Sequence, residues 1–197
     1  YKVSTINLSG TSVATSAQNE QTYGPTTAPL NLSATALIAI DIDLDWDAPS
    51  TNNGAAPSGY KIERSDDNIT FSTIVANTST TDTDYTDTDA TLVAGTTYYY
   101  KVSAINTYGT SPASNTANAV ASDVPAQVTG LAITSTATTS VDLDWTAPSA
   151  QGSVITGYKI EKSTDGTTFN VLVANTGSTD VDYTETGLVT NTLYYYK

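Results

Sequence analysis

Ile40-Asp41-Ile42-Asp43-Leu44-Asp45-Trp46-Asp47 alternates apolar and acidic residues without a break, and Asp142-Leu143-Asp144-Trp145 repeats the pattern 99 positions later. Side chains two apart on an extended chain share a face, so this period predicts a half-buried strand. Ile40, Ile42, Leu44 and Trp46 point to a core, and Asp41, Asp43, Asp45 and Asp47 point to water.

The recurrence extends well beyond that stretch. Tyr1-Lys2-Val3-Ser4 returns as Tyr100-Lys101-Val102-Ser103, offset 99, and Gly59-Tyr60-Lys61-Ile62-Glu63 as Gly157-Tyr158-Lys159-Ile160-Glu161, offset 98. Val75-Ala76-Asn77-Thr78 reappears at Val173, and Tyr98-Tyr99-Tyr100-Lys101 at Tyr194, offset 96. A fixed period marks a chain built from one repeated unit, and the small drops in offset mark short loop insertions in the first copy.

Inside each copy the pattern is that of strands. Tyr60, Ile62 and Arg64 alternate with Lys61 and Glu63, and Tyr98, Tyr100, Val102 and Ala104 alternate with Tyr99, Lys101 and Ser103. Turn-rich segments such as Ser50-Thr51-Asn52-Asn53-Gly54 and Asp165-Gly166 separate them, and no segment has a helical period. Short strands in a repeat of about a hundred residues predict an all-β fold of antiparallel sandwiches.

Here the residues resemble the fibronectin type III family. Trp46 and Trp145 match its strand B tryptophan, and Gly59 to Ile62 and Gly157 to Ile160 match its strand C Gly-Tyr-x-Ile. Leu92-x-Ala94-x-Thr96-x-Tyr98 and Leu188-x-Thr190-x-Thr192-x-Tyr194 match its tyrosine corner, without the corner proline. Ala104-Ile105-Asn106-Thr107-Tyr108-Gly109 approximates the Ala-x-Asn-x-x-Gly that leaves strand F. The resemblance implies tandem immunoglobulin-like antiparallel β-sandwiches. It divides the chain into residues 1–22, the end of strand F and strand G of a preceding repeat; residues 23–121, a complete domain; and residues 122–197, a domain lacking the end of strand F and strand G. Tyr1 maps to Tyr196 through Tyr100, so the chain reads as a segment of a longer array, its first residues able to complete its last domain head to tail, by continuous polypeptide or by strand donation.

Composition narrows the function. Twenty acidic residues against 7 basic ones give a net charge of −13. That balance excludes a general nucleic-acid binder and argues against anionic lipid surfaces. Without Cys, Met or His the chain has no disulfide, no thiolate metal site and no Ser-His-Asp or Cys-His arrangement. Serine–lysine and carboxylate-pair chemistry stay formally open. The reading is that the chain is not an enzyme, with no catalytic, cofactor-binding or metal-binding residue assigned and no cofactor. No apolar run of 18 residues exists, so no helical membrane span is predicted.

Charge is segregated. The basic residues Lys2, Lys61, Arg64, Lys101, Lys159, Lys162 and Lys197 fall on strands C or F or just past C. Acidic residues crowd strand B (Asp41, Asp43, Asp45, Asp47, Asp142, Asp144) and the approach to strand E (Asp82, Asp84, Asp87, Asp89, Asp180, Asp182). Each sandwich then has one acidic face and one mixed face. Same-face Asp residues on a strand lie ~6.8 Å apart and repel by only ~0.6 kcal/mol in water, a modest cost for a solvated face. Lateral association of an acidic face with a basic one is a second reading, and cation binding a third. Asp41-x-Asp43-x-Asp45 copies half of a calcium-loop spacing, but Trp46 stands where the glycine belongs and no Glu follows at the twelfth position. Asp82, Asp84, Asp87 and Asp89, flanking Tyr85 near a loop, are better able to converge.

Asn7, Asn31, Asn68 and Asn77 lie in Asn-x-Ser/Thr sequons, which a chain this rich in Ser and Thr produces by chance. Tyr99 and Tyr195 should face outward from strand F, either packing beside Lys61 and Lys159 or offering rings to surface glycans. No Arg-Gly-Asp is present. The sequence reading is therefore a structural or adhesive segment of an extracellular or cell-surface filament, stalk or fibre, associating head to tail with further copies. The alternative is a non-catalytic spacer of a secreted polysaccharide-degrading enzyme.

Overall fold

The computed structural model describes residues 1–197. The strands are β1 (Ile6–Asn7), β2 (Gly10–Thr11), β3 (Leu30–Ala36), β4 (Ile42–Asp47), β5 (Gly59–Ser65), β6 (Ser72–Val75), β7 (Asp84–Asp87) and β8 (Thr97–Asn106). They continue as β9 (Gly109–Thr110), β10 (Ala117–Val120), β11 (Thr129–Thr136), β12 (Ser140–Thr146), β13 (Ile160–Ser163), β14 (Asn170–Val173), β15 (Asp182–Thr186) and β16 (Tyr195–Tyr196). The single helical element is a 3-10 turn at Ile38–Ile40. The chain is all-β, and no helix is long and apolar enough to cross a membrane. It divides into two compact units: Tyr1–Ala34, Leu44–Tyr85 and Tyr99–Ala117 in one, Thr35–Asp43, Thr86–Tyr98 and Asn118–Lys197 in the other.

The sheets follow the repeat. One sheet has the order β3-β4-β7 and another β10-β8-β5-β6, with β9 against β8; the second copy gives β11-β12-β15 and β14-β13-β16. The strands pair antiparallel, with Ile62 opposite Val102 and Tyr60 opposite Ala104 between β5 and β8.

Alternation carries the core. Ile42, Leu44 and Trp46 on β4 are buried, as are Tyr60 and Ile62 on β5 and Tyr100, Val102 and Ala104 on β8. Leu143, Trp145, Tyr158 and Ile160 form the matching cluster of the second copy. Trp46 meets Tyr60 edge to face at 5.1 Å, and Trp145 meets Tyr158 at 5.0 Å. This arrangement, favoured by the ring quadrupoles, recurs because both rings hang from equivalent strand positions.

The alternation misleads at one end. Ile40 does not begin β4: Ala39 and Ile40 have φ of 66° and 75°, and the Leu37 N–H donates to the Asp41 carbonyl at 2.9 Å. A tight turn between β3 and β4 thus takes residues whose pattern reads as strand, and β4 starts at Ile42.

The tyrosine corners form as their spacing requires. Tyr98 Oη accepts the Val93 N–H at 3.1 Å, and Tyr194 Oη accepts the Val189 N–H at 3.2 Å. Each hydroxyl satisfies a backbone donor in the loop leading to strand F that no ladder reaches.

Candidate interaction surfaces

The acidic strands lie where the sequence puts them, but two of their carboxylates turn inward. Asp43 and Asp45 flank buried side chains on β4, and cross-strand hydroxyls interleave with the column: Thr86 Oγ1 donates to Asp43 at 3.0 Å and Thr184 Oγ1 to Asp142 at 2.7 Å. Asp87 and Glu185, however, are only 1% and 5% exposed. On β7 and β15 the inward positions after Tyr85 and Tyr183 fall on these carboxylates, so strand period overrides residue type. The expectation of a solvent-facing acidic set is corrected at Asp87, and Glu185 is a further inward carboxylate outside that set.

Lys162 is corrected with them. It leaves the mixed outer face and places Nζ 2.5 Å from Glu185 Oε1, while Tyr196 Oη donates to Glu185 Oε2 at 2.7 Å. Burial first, then the hydrogen bond to Glu185, raises the Tyr196 hydroxyl above its ordinary value. The outer lysines of strand C instead pair along their own strand, Lys61 with Glu63 at 2.9 Å and Lys159 with Glu161 at 2.8 Å. Partly exposed pairs of this kind contribute little to stability.

The Asp-rich approach to strand E does not gather around one point. Asp82 accepts the Thr80 hydroxyl at 2.6 Å, Asp89 accepts the Thr91 N–H at 2.9 Å, and Asp87 is turned inward. No three carboxylates converge, and Asp41, Asp43 and Asp45 are spread along β4 and the turn before it.

Tyr99 lies opposite Ser65 rather than Lys61, and Tyr195 opposite Ser163 rather than Lys159. The expected tyrosine–lysine packing is corrected by that register. Lys101 sits over the Phe71 ring at 3.8 Å and Lys197 over the Phe169 ring at 4.4 Å, so the phenylalanines take the cations.

Residues 1–18 form a miniature of the strand F–strand G hairpin. Val102 and Ala104 N–H groups donate to the Ser114 and Ser111 hydroxyls at 3.1 and 2.9 Å. At the equivalent places Val3 and Thr5 donate to Thr15 and Ser12 at 3.2 and 2.9 Å. In the second copy Leu131 is 42% exposed where its counterpart Leu32 is 5% exposed. A cleft of about 60 Å³ opens beside it, lined by Val128, Leu143, Trp145, Tyr158, Ile160 and Tyr196.

A further surface escaped the sequence reading. Tyr23 and Tyr108 stack with centroids 5.5 Å apart and planes within 9°. Asn106 builds the base beneath them: its Nδ2 reaches the carbonyls of Gly24, Asn52 and Ala55 at 3.0, 3.3 and 3.1 Å, and its Oδ1 accepts the Tyr108 N–H at 2.9 Å. Gly54, at φ 104°, leaves the space Tyr23 fills; a Cβ there would sit 1.9 Å from the ring. A comparison of copies carries the missed signal, because Ser122 and Ser9 stand where Tyr23 and Tyr108 do.

With this geometry in view, the likenesses to known proteins are direct. The family profile described as the fibronectin type III domain matches residues 27–120 and 126–197. The chain belongs to the fibronectin type III family. Fibronectin type III domains are typically non-catalytic modules. Exoglucanase B of Cellulomonas fimi is 32% identical over 203 residues, covering 96% of this chain but only 17% of that protein's length. Among solved structures, the FN1–FN3 domains of chicken CNTN1 are 17% identical with a TM-score of 0.48, covering 99% of this chain and 69% of theirs.

Proposed function

We propose that this chain is a non-catalytic spacer segment of a larger secreted protein, of the kind that accompanies a polysaccharide-degrading catalytic domain. The observation that carries the reading is the match to Exoglucanase B along almost the whole chain. The repeats support it physically. The large apolar and aromatic side chains at alternating positions are spent between the sheets, and the acidic strands present a soluble exterior. Placement outside the cell is part of this proposal.

The test is deletion of this segment from the protein that carries it. Hydrolysis of a soluble substrate should be unchanged, and hydrolysis of the insoluble polymer should fall. Reducing-sugar release by the isolated 197-residue chain, or equal losses on both substrates, would reject the spacer role.

A second reading, a head-to-tail filament, draws on one observation: the same strand pattern recurs along the chain, with Tyr1–Ser4, Asp43–Trp46 and Gly59–Glu63 each returning 98 or 99 positions later. Sedimentation of the 197-residue chain tests it. Concentration-dependent species beyond a monomer, abolished by Val3→Asp, support association, and a monomer at millimolar concentration rejects it.

A further inference from the structure

We infer that the stacked Tyr23–Tyr108 pair is a binding site for an uncharged polysaccharide, taking the flat face of a sugar ring. Four observations lead there. The rings are exposed, 54% for Tyr23 and 46% for Tyr108, although tyrosines at core positions such as Tyr60 and Tyr100 are buried. They are also fixed in place. Asn106 ties the Tyr108 backbone to the loops at Gly24, Asn52 and Ala55, the Gly24 N–H donates to the Asn53 carbonyl at 3.0 Å, and Asn53 Nδ2 donates to the Pro25 carbonyl at 2.7 Å. A platform held this way loses little freedom when a ligand settles on it.

The fold does not require the pair. The other copies carry Ser122 and Ser9 at these positions, so the repeat is built without the tyrosines, which lie on its loops and outside its core. Exposed aromatic surface without a structural role marks a contact site.

The surroundings select the ligand. The segments 21–40, 48–60 and 102–122 that build and flank this end contain no charged residue, although the whole chain carries 27. Loops 23–29, 50–58 and 106–112 hold no Val, Leu, Ile or Phe either, only Tyr, Ala and Pro among small hydroxyl and amide side chains. An aliphatic protein surface finds no apolar rim here, and a polyanion meets a protein of net charge −13. A neutral sugar polymer fits both features. Its C–H face lies on an aromatic ring, and its hydroxyls meet the exposed Asn52, Thr107 and Thr110.

The choice of a glucan as first probe rests on the spacer reading; the neutral-sugar inference does not. The 197-residue chain is run by affinity electrophoresis through gels containing hydroxyethylcellulose, xylan or polygalacturonate, and titrated with cellohexaose while Tyr108 is followed by NMR. At least one neutral polymer should retard the chain, polygalacturonate should not, and Tyr108→Ala should weaken binding at least tenfold while Tyr108→Trp retains it. Tyr23→Ser/Tyr108→Ser, which installs the residues of the other copies and so keeps the fold, should abolish retardation, and Tyr195→Ala should leave it unchanged. No retardation by any neutral polymer, or retardation that persists in the double variant, overturns the site. Both results leave the deletion test of the spacer role standing on its own.

Discussion

Lys162 and Glu185 form an ion pair between the two sheets of the second repeat, Nζ to Oε1 at 2.5 Å, on side chains that are 28% and 7% exposed. Tyr196 completes the site by donating to the other carboxylate oxygen. Desolvation offsets most of what such a pair gains, but removing one member strands the other. Glu185→Leu and Lys162→Met should each destabilise the second repeat by about 2–3 kcal/mol, under the ~3–5 kcal/mol of fully buried pairs because Lys162 keeps partial access to water. The double variant should recover most of the loss. Urea unfolding followed by Trp145 fluorescence in a Trp46→Phe background measures it. Single losses that simply add would show that the two residues do not act as a pair.

The two tyrosine corners share a geometry and differ in setting. Tyr98 is 7% exposed, whereas Tyr194 and its donor Val189 are more open to water. Tyr98→Phe removes a part-buried hydrogen bond and should cost about 1 kcal/mol, and Tyr194→Phe removes an exposed one and should cost only a few tenths, as water replaces the hydroxyl (~1 kcal/mol per net hydrogen bond). Paired denaturation curves settle the ordering; an equal or larger loss at Tyr194 contradicts the argument from burial.

These contrasts show which parts of the structure local sequence can reveal. Strands were legible because Ile42, Leu44 and Trp46 repeat at the period of the backbone itself, and the corners because a hydroxyl five residues past its donor is a local relation. Ile40 was misread because alternation is silent about φ, and only the turn closed by Leu37 and Asp41 distinguishes it. Asp87 belongs by its charge to the acidic face, although its phase with Tyr85 points it inward, as the phase with Tyr183 does for Glu185. The Tyr23–Tyr108 stack joins residues 85 apart in sequence, and no local pattern encodes such a contact. It becomes visible only by asking which tyrosines the other copies lack.

Gly59 and Gly157 open strand C where an asparagine side chain presses against the backbone. A Cβ on Gly59 would lie 2.0 Å from Asn77 Oδ1 and 2.9 Å from the Ser79 nitrogen; at Gly157 the Asn175 Oδ1 would be 1.9 Å away. Both asparagines are held by turns, Asn77 Oδ1 accepting the Ser79 N–H and Asn175 Oδ1 the Gly177 N–H, each at 2.8 Å. Gly59→Ala should therefore cost about 2 kcal/mol or more, in the range of strained or overpacked substitutions. Asn77→Gly in the same chain should return part of that by removing the clashing oxygen. Thermal melts of the three variants test the coupling. A Gly59→Ala chain as stable as the parent would mean the turn shifts freely.

Asp67 makes the pH response of the first repeat specific. Its Oδ1 accepts the Thr70 and Ile69 N–H groups, each at 2.7 Å, and the Ser65 hydroxyl at 2.7 Å. These bonds favour the ionised carboxylate, the two backbone donors most, and bring its pKa down to about 2. Because the folded value lies below that of an unfolded Asp, about 3.9, the stabilisation is present above roughly pH 4. It is lost as pH falls from there through about 2, where the folded carboxylate takes up its proton. Asp165 sits in the same turn of the second repeat, with Thr168 and Thr167 N–H groups at 2.8 Å, and is lowered for the same reason. An NMR titration of the Asp67 side-chain carboxyl carbon should show a midpoint near 2, and Asp67→Asn should flatten stability between pH 4 and 2 without changing its slope above pH 5. A midpoint near 4 would mean that the turn does not hold the carboxylate in solution.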